Sequence, residues 1–204
     1  MAKLKLTQTE LKQQKDSLRT FSRYLPTLRI KQQLLQKEWL RAKQHVEEGN
    51  QEVKAFWVKL EPWMGCFAES IEIQKWIQVT GINTTEETVA GVPLEKLVDI
   101  EVFILPYDLH TTPLWVDQGV VALVDLFRLE VQLRLAISGE KLLAEELLRT
   151  SQRINLFEKV KIPEAQNNIK RITVYLDDQA ASAVGWARGA KKKRLERELS
   201  EVLG

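Results

Sequence analysis

Fifteen positions between Leu11 and Leu60, taken in alternating steps of three and four, constrain this chain more than any other feature. They are Leu11, Gln14, Leu18, Phe21, Leu25, Leu28, Gln32, Leu35, Trp39, Ala42, Val46, Gly49, Val53, Phe56 and Leu60, and only Gln14, Gln32 and Gly49 break the apolar set. The average step is about 3.5 residues, the repeat of a left-handed coiled coil. The positions between them are rich in Lys, Arg, Gln and Glu, as solvated helix faces require. The spacing therefore predicts one long helix with a single stripe that must be covered. Pro26 inside this run predicts a bend or weak turn near residues 22 to 26, and Pro62 its end.

The material for a core is present: 44% of the 204 residues are hydrophobic and 28% charged, so a disordered chain is excluded. Nine Gly and six Pro are few for a loop-rich fold, which again favours long regular elements. Cys66 is the single cysteine and leaves no internal disulfide and no ligand cluster. No apolar run approaches about 18 residues and the start is hydrophilic, so neither a membrane span nor a secretory leader is expected, and the expected location is cytoplasmic.

The pattern changes after Trp76. Val98, Ile100, Val102 and Ile104 alternate with Asp99, Glu101 and Phe103, the period of a half-buried strand. Thr84, Thr85, Thr88 and Val89 are strand-prone too, with Gly81, Gly91 and Pro93 as punctuation, so a short hairpin is expected. Thr112 is placed to cap the next helix, with Pro113 as its first residue. From about Leu114 the chain reads as helix, with Gly119, Gly139 and Pro163 as weak points.

Beyond Pro163 a second seam runs through Ala165, Ile169, Ile172, Leu176, Ala180, Ala183, Ala187 and Ala190, again with a step near 3.5. Two seams, one at each end of the chain, must cover each other or a partner. The fold class that follows is mainly α: an antiparallel two-helix coiled coil of N- and C-terminal helices, with a small middle region carrying a short β-hairpin. The divisions expected are a coiled-coil helix over 1–62, a middle region over 63–113 and a long helix over 114–204, kinked near Pro163. The paired section would be about 74 Å long at 1.5 Å per residue. Gly49, the one glycine on the first seam, is expected to face the Pro163 region in a paired bend.

Charge is distributed unevenly although the net value is only +2. Residues 1–20 carry five Lys and Arg against two acids, residues 185–204 six against three, and residues 81–120 one Lys against seven acids. Antiparallel closure would bring both basic ends to one tip. The alanines of the second seam bury little area there, at about 25 cal/mol per Å², so a slim tip that gains from enclosure by a partner is expected.

Catalytic patterns are weak. No Gly-rich phosphate loop is present, since the GEK at 139–141 lacks the upstream glycine. His45 and His110 are 65 residues apart without ligand spacing. The adjacent acids Glu47 and Glu48, and Asp177 and Asp178, point in different directions on a helix and read as solvated faces. Cys66, near Trp63 and Phe67, reads as a small buried hydrophobe. No catalytic residue, cofactor or metal is therefore expected. The run RGAKKKRLERE is open to three readings: a phosphate-binding surface, a solvated helix end favoured by its dipole, and a site for an acidic protein. No aromatic residue follows Trp186 to stack bases, and nucleic acid is not among the expected partners.

One segment narrows these readings. TSQRINLFEKVKIPEAQNNIKRI resembles the C-terminal signature of the D subunit of V-type (vacuolar and archaeal-type) ATPases and ATP synthases. That signature has an Arg-(Val/Ile)-Asn motif followed by Ile-Pro and then Asn and Ile, here Arg153, Ile154, Asn155, Ile162, Pro163, Asn168 and Ile169. The N-terminal stretch is similar to that family's opening, with Thr7, Leu11, Leu18, Lys31, Leu35 and Glu38 at matching places, and AGVPL at 90–94 is similar to its mid-chain segment. Pro26 and Pro93 depart from the commonest pattern and point to a bacterial branch.

The resemblance implies a non-catalytic central-stalk rotor subunit, peripheral to the membrane in a membrane-bound complex that couples ATP synthesis or hydrolysis to ion translocation. Its implied partners are the catalytic and non-catalytic nucleotide-binding subunits of a hexamer, the F subunit of the central stalk, and a membrane-side stalk protein linked to the ion-carrying ring. Lys3, Lys5, Lys191, Lys192, Lys193 and Arg194 are the expected tip contacts. The competing expectation is a coiled-coil scaffold or adaptor, which would self-associate through its seams or bind one partner helix.

Overall fold

The structure, a computed structural model, describes residues 4–63, 65, 76–107 and 112–202. Helix α1 spans Gln8–Leu60. Thr7 starts it: its hydroxyl oxygen accepts the Glu10 N–H at 3.3 Å and its carbonyl accepts the Leu11 N–H at 3.0 Å, an N-cap that satisfies two otherwise orphaned donors. Pro26 lies inside α1 and is solvent-exposed, and the helix continues through it. At the far end α1 gives way to a 3-10 turn over Glu61–Trp63 that contains Pro62. Every one of the fifteen seam positions is buried or half-buried, with Leu35 at 0% exposure. The remaining elements are strands β1 (Ile77–Val89) and β2 (Val92–Ile104), then helices α2 (Trp115–Leu156) and α3 (Ile162–Val202). Two compact units result, residues 30–151 and residues 1–29 with 152–204.

In the unit formed by residues 30–151, α1 and α2 pack antiparallel. Lys31 Nζ meets Glu146 Oε1 at 2.7 Å, Gln32 Nε2 donates to Ser151 Oγ at 2.8 Å, and Trp39 Nε1 donates to Glu140 Oε1 at 2.6 Å. Ser151 in turn donates to the Leu147 carbonyl at 2.8 Å, so the polar break at Gln32 meets a polar partner with no orphaned atom. A Cβ on Gly49 would stand 3.3 Å from Leu133 Cδ1. The seam's glycine is thus the hole that receives the Leu133 knob. This corrects the expectation that Gly49 faces Pro163: the antiparallel register carries it to the first half of α2 instead.

The hairpin belongs to the same unit, and its strands are long, 13 residues each, rather than short. They pair antiparallel from Ile77↔Ile104 to Val89↔Val92, with register shifts at Val79/Gly81 and Asn83/Thr84. Gly81 and Pro93 therefore lie inside strands, and punctuation alone underestimates the hairpin. Ala90 and Gly91 form its two-residue turn, both at positive φ (54° and 81°), as a type I′ turn requires. At the turn end, Val92 joins Leu35 and Leu143 in a buried cluster flanked by Trp39, Ala42, Ala90, Leu94 and Leu147. At the open end, Val116 and Val120 of α2 pack with Trp76, Ile77, Tyr107, Trp115 and Leu123. Tyr107 stacks on Trp76 at 5.1 Å between centroids and donates to Asp117 Oδ1 at 2.6 Å. That hydrogen bond, with smaller desolvation and like-charge effects, raises the phenol above its ordinary range, so Tyr107 keeps its proton to higher pH than a free tyrosine. Helix α2 starts at Trp115, two residues after the expected Pro113.

In the unit formed by residues 1–29 and 152–204, the same antiparallel sense holds. Arg29 pairs with Glu158 at 2.7 Å, Phe21 lies 5.0 Å from Phe157 between ring centroids, and Asn168 Nδ2 approaches Gln14 Oε1 at 3.4 Å. Gln14 also donates to Glu10 Oε1 at 2.9 Å, so the second polar break of the seam is likewise partnered. Ile154, Ala165 and Ile172 form the buried stripe facing α1 residues, Ile172 at 0% exposure.

Two substitutions test this packing. Gly49→Leu gains about 1 kcal/mol of helix propensity but overpacks the Leu133 site by about 1–3 kcal/mol, so a net loss of thermal stability is expected in calorimetry; an unchanged or higher midpoint would show the hole to be empty. Ala90→Asn puts a residue that tolerates the left-handed region at a non-glycine strained site and should stabilise by about 0.5–1 kcal/mol in urea unfolding.

Candidate partner interface

The proline that opens the C-terminal signature's second half sits just after a change of helix type. Residues Phe157–Lys161 form a π-helical segment, in which the Ile162 N–H reaches the Phe157 carbonyl rather than that of Glu158. A proline in an α-helix has no N–H to give and its ring collides with the carbonyl four residues back. The wider π turn moves that carbonyl aside, and such insertions are a recognised cause of helix kinks. Of the signature residues, Ile154 is buried and Ile162, Pro163, Asn168 and Ile169 are half-buried, whereas Arg153 and Asn155 are exposed. The inward members hold the register: Asn168 meets Gln14, and Phe157, at the start of the π segment, meets Phe21.

Beyond Leu176 the partner runs out. Since Gln14 lies against Asn168, α1 reaches its first residue, Gln8, when α3 has climbed to roughly residue 174 at equal rise per residue. Every residue from Asp177 to Leu195 is exposed, including the seam alanines Ala180, Ala183, Ala187 and Ala190. Trp186 is 83% exposed, and Val184 and Leu195 about half exposed. The expectation that the two basic ends share one tip is corrected accordingly: the α3 end extends past α1. Lys191, Lys192, Lys193 and Arg194 lie on this uncovered stretch, Lys5 is exposed before α1 begins, and Lys3 lies outside the described residues.

The remaining candidates are dispersed. His45 is exposed, with Nδ1 4.0 Å from Glu48 Oε2. Asp177 and Asp178 are exposed on α3, while His110 and Cys66 lie outside the described residues. Among the described residues no three or more His, Cys, Asp and Glu side chains gather in a metal-binding group, and no helix is long and apolar enough to cross a membrane. What sequence reasoning missed is the uncovered length of α3: the seam spacing gives the alanines a face, but only the register shows that α1 ends before reaching them.

Comparison with known proteins decides the family. The sequence matches the family of ATP synthase D subunits over residues 10–192. The chain belongs to the ATP synthase D-subunit family. A Borreliella burgdorferi protein, named there as the D subunit of a V-type ATP synthase, is 38% identical over 202 residues, covering 99% of this chain and 100% of its own. Proteins of the same name from Chlamydia pneumoniae and Chlamydia muridarum are 32% and 33% identical, covering 93% and 94% of this chain and 92% and 96% of their own. The family match thus includes the hairpin, the π segment and nearly all of the uncovered stretch of α3.

Pro163→Ala restores the missing N–H and removes the clash, so residues 157–161 are expected to return to α-helical pairing. Hydrogen exchange should slow across that segment and stability rise by about 1 kcal/mol or more, within the roughly 3 kcal/mol that an interior proline costs. Unchanged exchange there would show that the π turn has another cause.

Proposed function

We propose that this chain is a non-catalytic central-stalk rotor subunit of a V-type ATP synthase, and that its uncovered α3 end seats in the hexamer of nucleotide-binding subunits. The observation that carries the reading is the stretch Asp177–Leu195, a helix whose seam alanines Ala180, Ala183, Ala187 and Ala190 and whose Trp186 are exposed. Such a face is incomplete alone and is completed by a partner that surrounds it. The names of the relatives support a rotary ATPase as the setting. The F subunit of the stalk and the membrane-side stalk protein are the further partners proposed, and the location proposed is peripheral to the membrane on its cytoplasmic side.

The mechanism asks for no bond chemistry from this chain. An asymmetric helical end inside a pseudo-threefold ring touches each catalytic interface with a different face, and differential contacts favour a different nucleotide state at each. Turning it permutes those states; run in reverse, hydrolysis drives the turning. The scaffold alternative asks for self-association through the seams or for one partner helix. The α1 seam is buried or half-buried along its whole length, so either would use the α3 face, and the number and kind of chains bound there separates them from the rotor reading.

Lys191, Lys192, Lys193 and Arg194 are proposed to contact the ring. Replacing all four by Gln should weaken binding to the co-expressed hexamer by about tenfold or more and flatten its dependence on salt. Native mass spectrometry should show one copy per hexamer. Unchanged affinity and salt slope would remove the residue assignment, and absence of a stoichiometric hexamer complex would overturn the rotor reading.

A further inference from the structure

The hairpin is pinned to the helices at both ends, and between them Ile100 is buried and Asp99 pairs with Arg128 of α2 at 3.6 Å. Val92 and Leu94 hold the turn end against Leu35 and Leu143, and Ile77 holds the open end against Val116 and Val120. Between these anchors lies a cavity of about 490 Å³, within the size range of small-molecule sites. Its floor is apolar and includes Leu133 and Ala136, and its roof includes Leu94 and Leu97. Gly49 of α1 and Gly139 of α2 also line it, each with a leucine side chain packed against it, Leu133 at Gly49 and Leu94 at Gly139.

The polar lining has one dominant sign. Acidic residues line the cavity from four elements, Glu52 of α1, Glu87 of β1, Glu95 of β2 and Glu140 of α2, against Lys96 of β2. Glu140 is fixed in place by the Trp39 indole N–H at 2.6 Å. His45, the other basic side chain on the wall, is exposed and lies 4.0 Å from Glu48. An apolar chamber bordered by acidic residues from four different elements complements one class of molecule: an apolar body carrying a protonated amine.

We infer that the vault beneath the hairpin is a binding site for an amphipathic organic cation, with its apolar body against Leu133, Ala136 and Leu97 and its ammonium among the glutamates. Occupancy would add contacts from the turn-proximal half of the hairpin to both helices, beside the Arg128–Asp99 ion pair at 3.6 Å that already joins α2 to the middle of β2. This site is separate from the α3 end and does not rest on the rotor reading.

Dansylcadaverine, a fluorescent amine with an aromatic body, is the probe, and dansylglycine is its anionic counterpart. The full chain should enhance dansylcadaverine fluorescence saturably, and bind dansylglycine at least about tenfold more weakly. Ala136→Leu fills the floor and should abolish the enhancement. Glu87→Gln with Glu95→Gln changes two exposed side chains, so it leaves the fold intact and should weaken the cation by about tenfold while flattening the salt dependence. Equal binding of the two probes, no saturation up to about 1 mM, or an unchanged affinity in the double Glu→Gln variant would overturn the proposal. Cation binding that survives both sets of substitutions would place the dye elsewhere on the surface and overturn it equally.

Discussion

The antiparallel mating of one 3.5-residue seam with its return is the constraint on which the rest of this structure depends, and the three positions where the seam is not apolar do the most to fix it. A uniformly apolar stripe slides by a heptad at little cost, because every Leu fits every hole. Gln32 fits only where Ser151 can accept its N–H, Gln14 where Asn168 reaches it, and Gly49 where Leu133 needs room. A slip would bury an amide with no partner, at about 1–3 kcal/mol each, or drive a leucine into a side chain. Among the described residues no buried side-chain nitrogen or oxygen is left without a partner, as this matching requires.

That register also decides where the helices stop covering one another. Because Asn168 lies against Gln14, the end of α1 at Gln8 leaves Asp177–Leu195 of α3 exposed. The alanines of that stretch would make a poor core in any case, since each offers little apolar area. Small residues there keep the helix slim, and the apolar Trp186 and Val184 stand out from it. The helical path earlier absorbs Pro163 with a π turn rather than a break, so one element runs from the packed region to the uncovered one.

Periodicity made much of this legible. All fifteen positions of the first seam were readable from spacing alone, because a coiled-coil stripe is a local pattern, and the end of α1 before Pro62 was readable because a proline's effect is local too. The reach of the hairpin was not. Its strands pass through Gly81 and Pro93, residues that punctuate strands in isolation, but here a bulge accommodates the first and a position next to the turn the second. The partner of Gly49 and the uncovered end of α3 were hidden for a different reason: both depend on pairing between residues more than 80 apart in sequence, which no single-helix pattern encodes. The cavity under the hairpin likewise joins side chains from four elements, and its acids read one at a time as ordinary solvated charge.

Amide hydrogen exchange across residues 177–195 tests the central claim, that this stretch of α3 is completed by a surrounding partner, most directly. In the free chain these amides should exchange far faster than those around Ile172, whose helix face is buried. Bound to the hexamer of nucleotide-binding subunits, they should become strongly protected. Protection in the free chain equal to that in the complex would contradict the account.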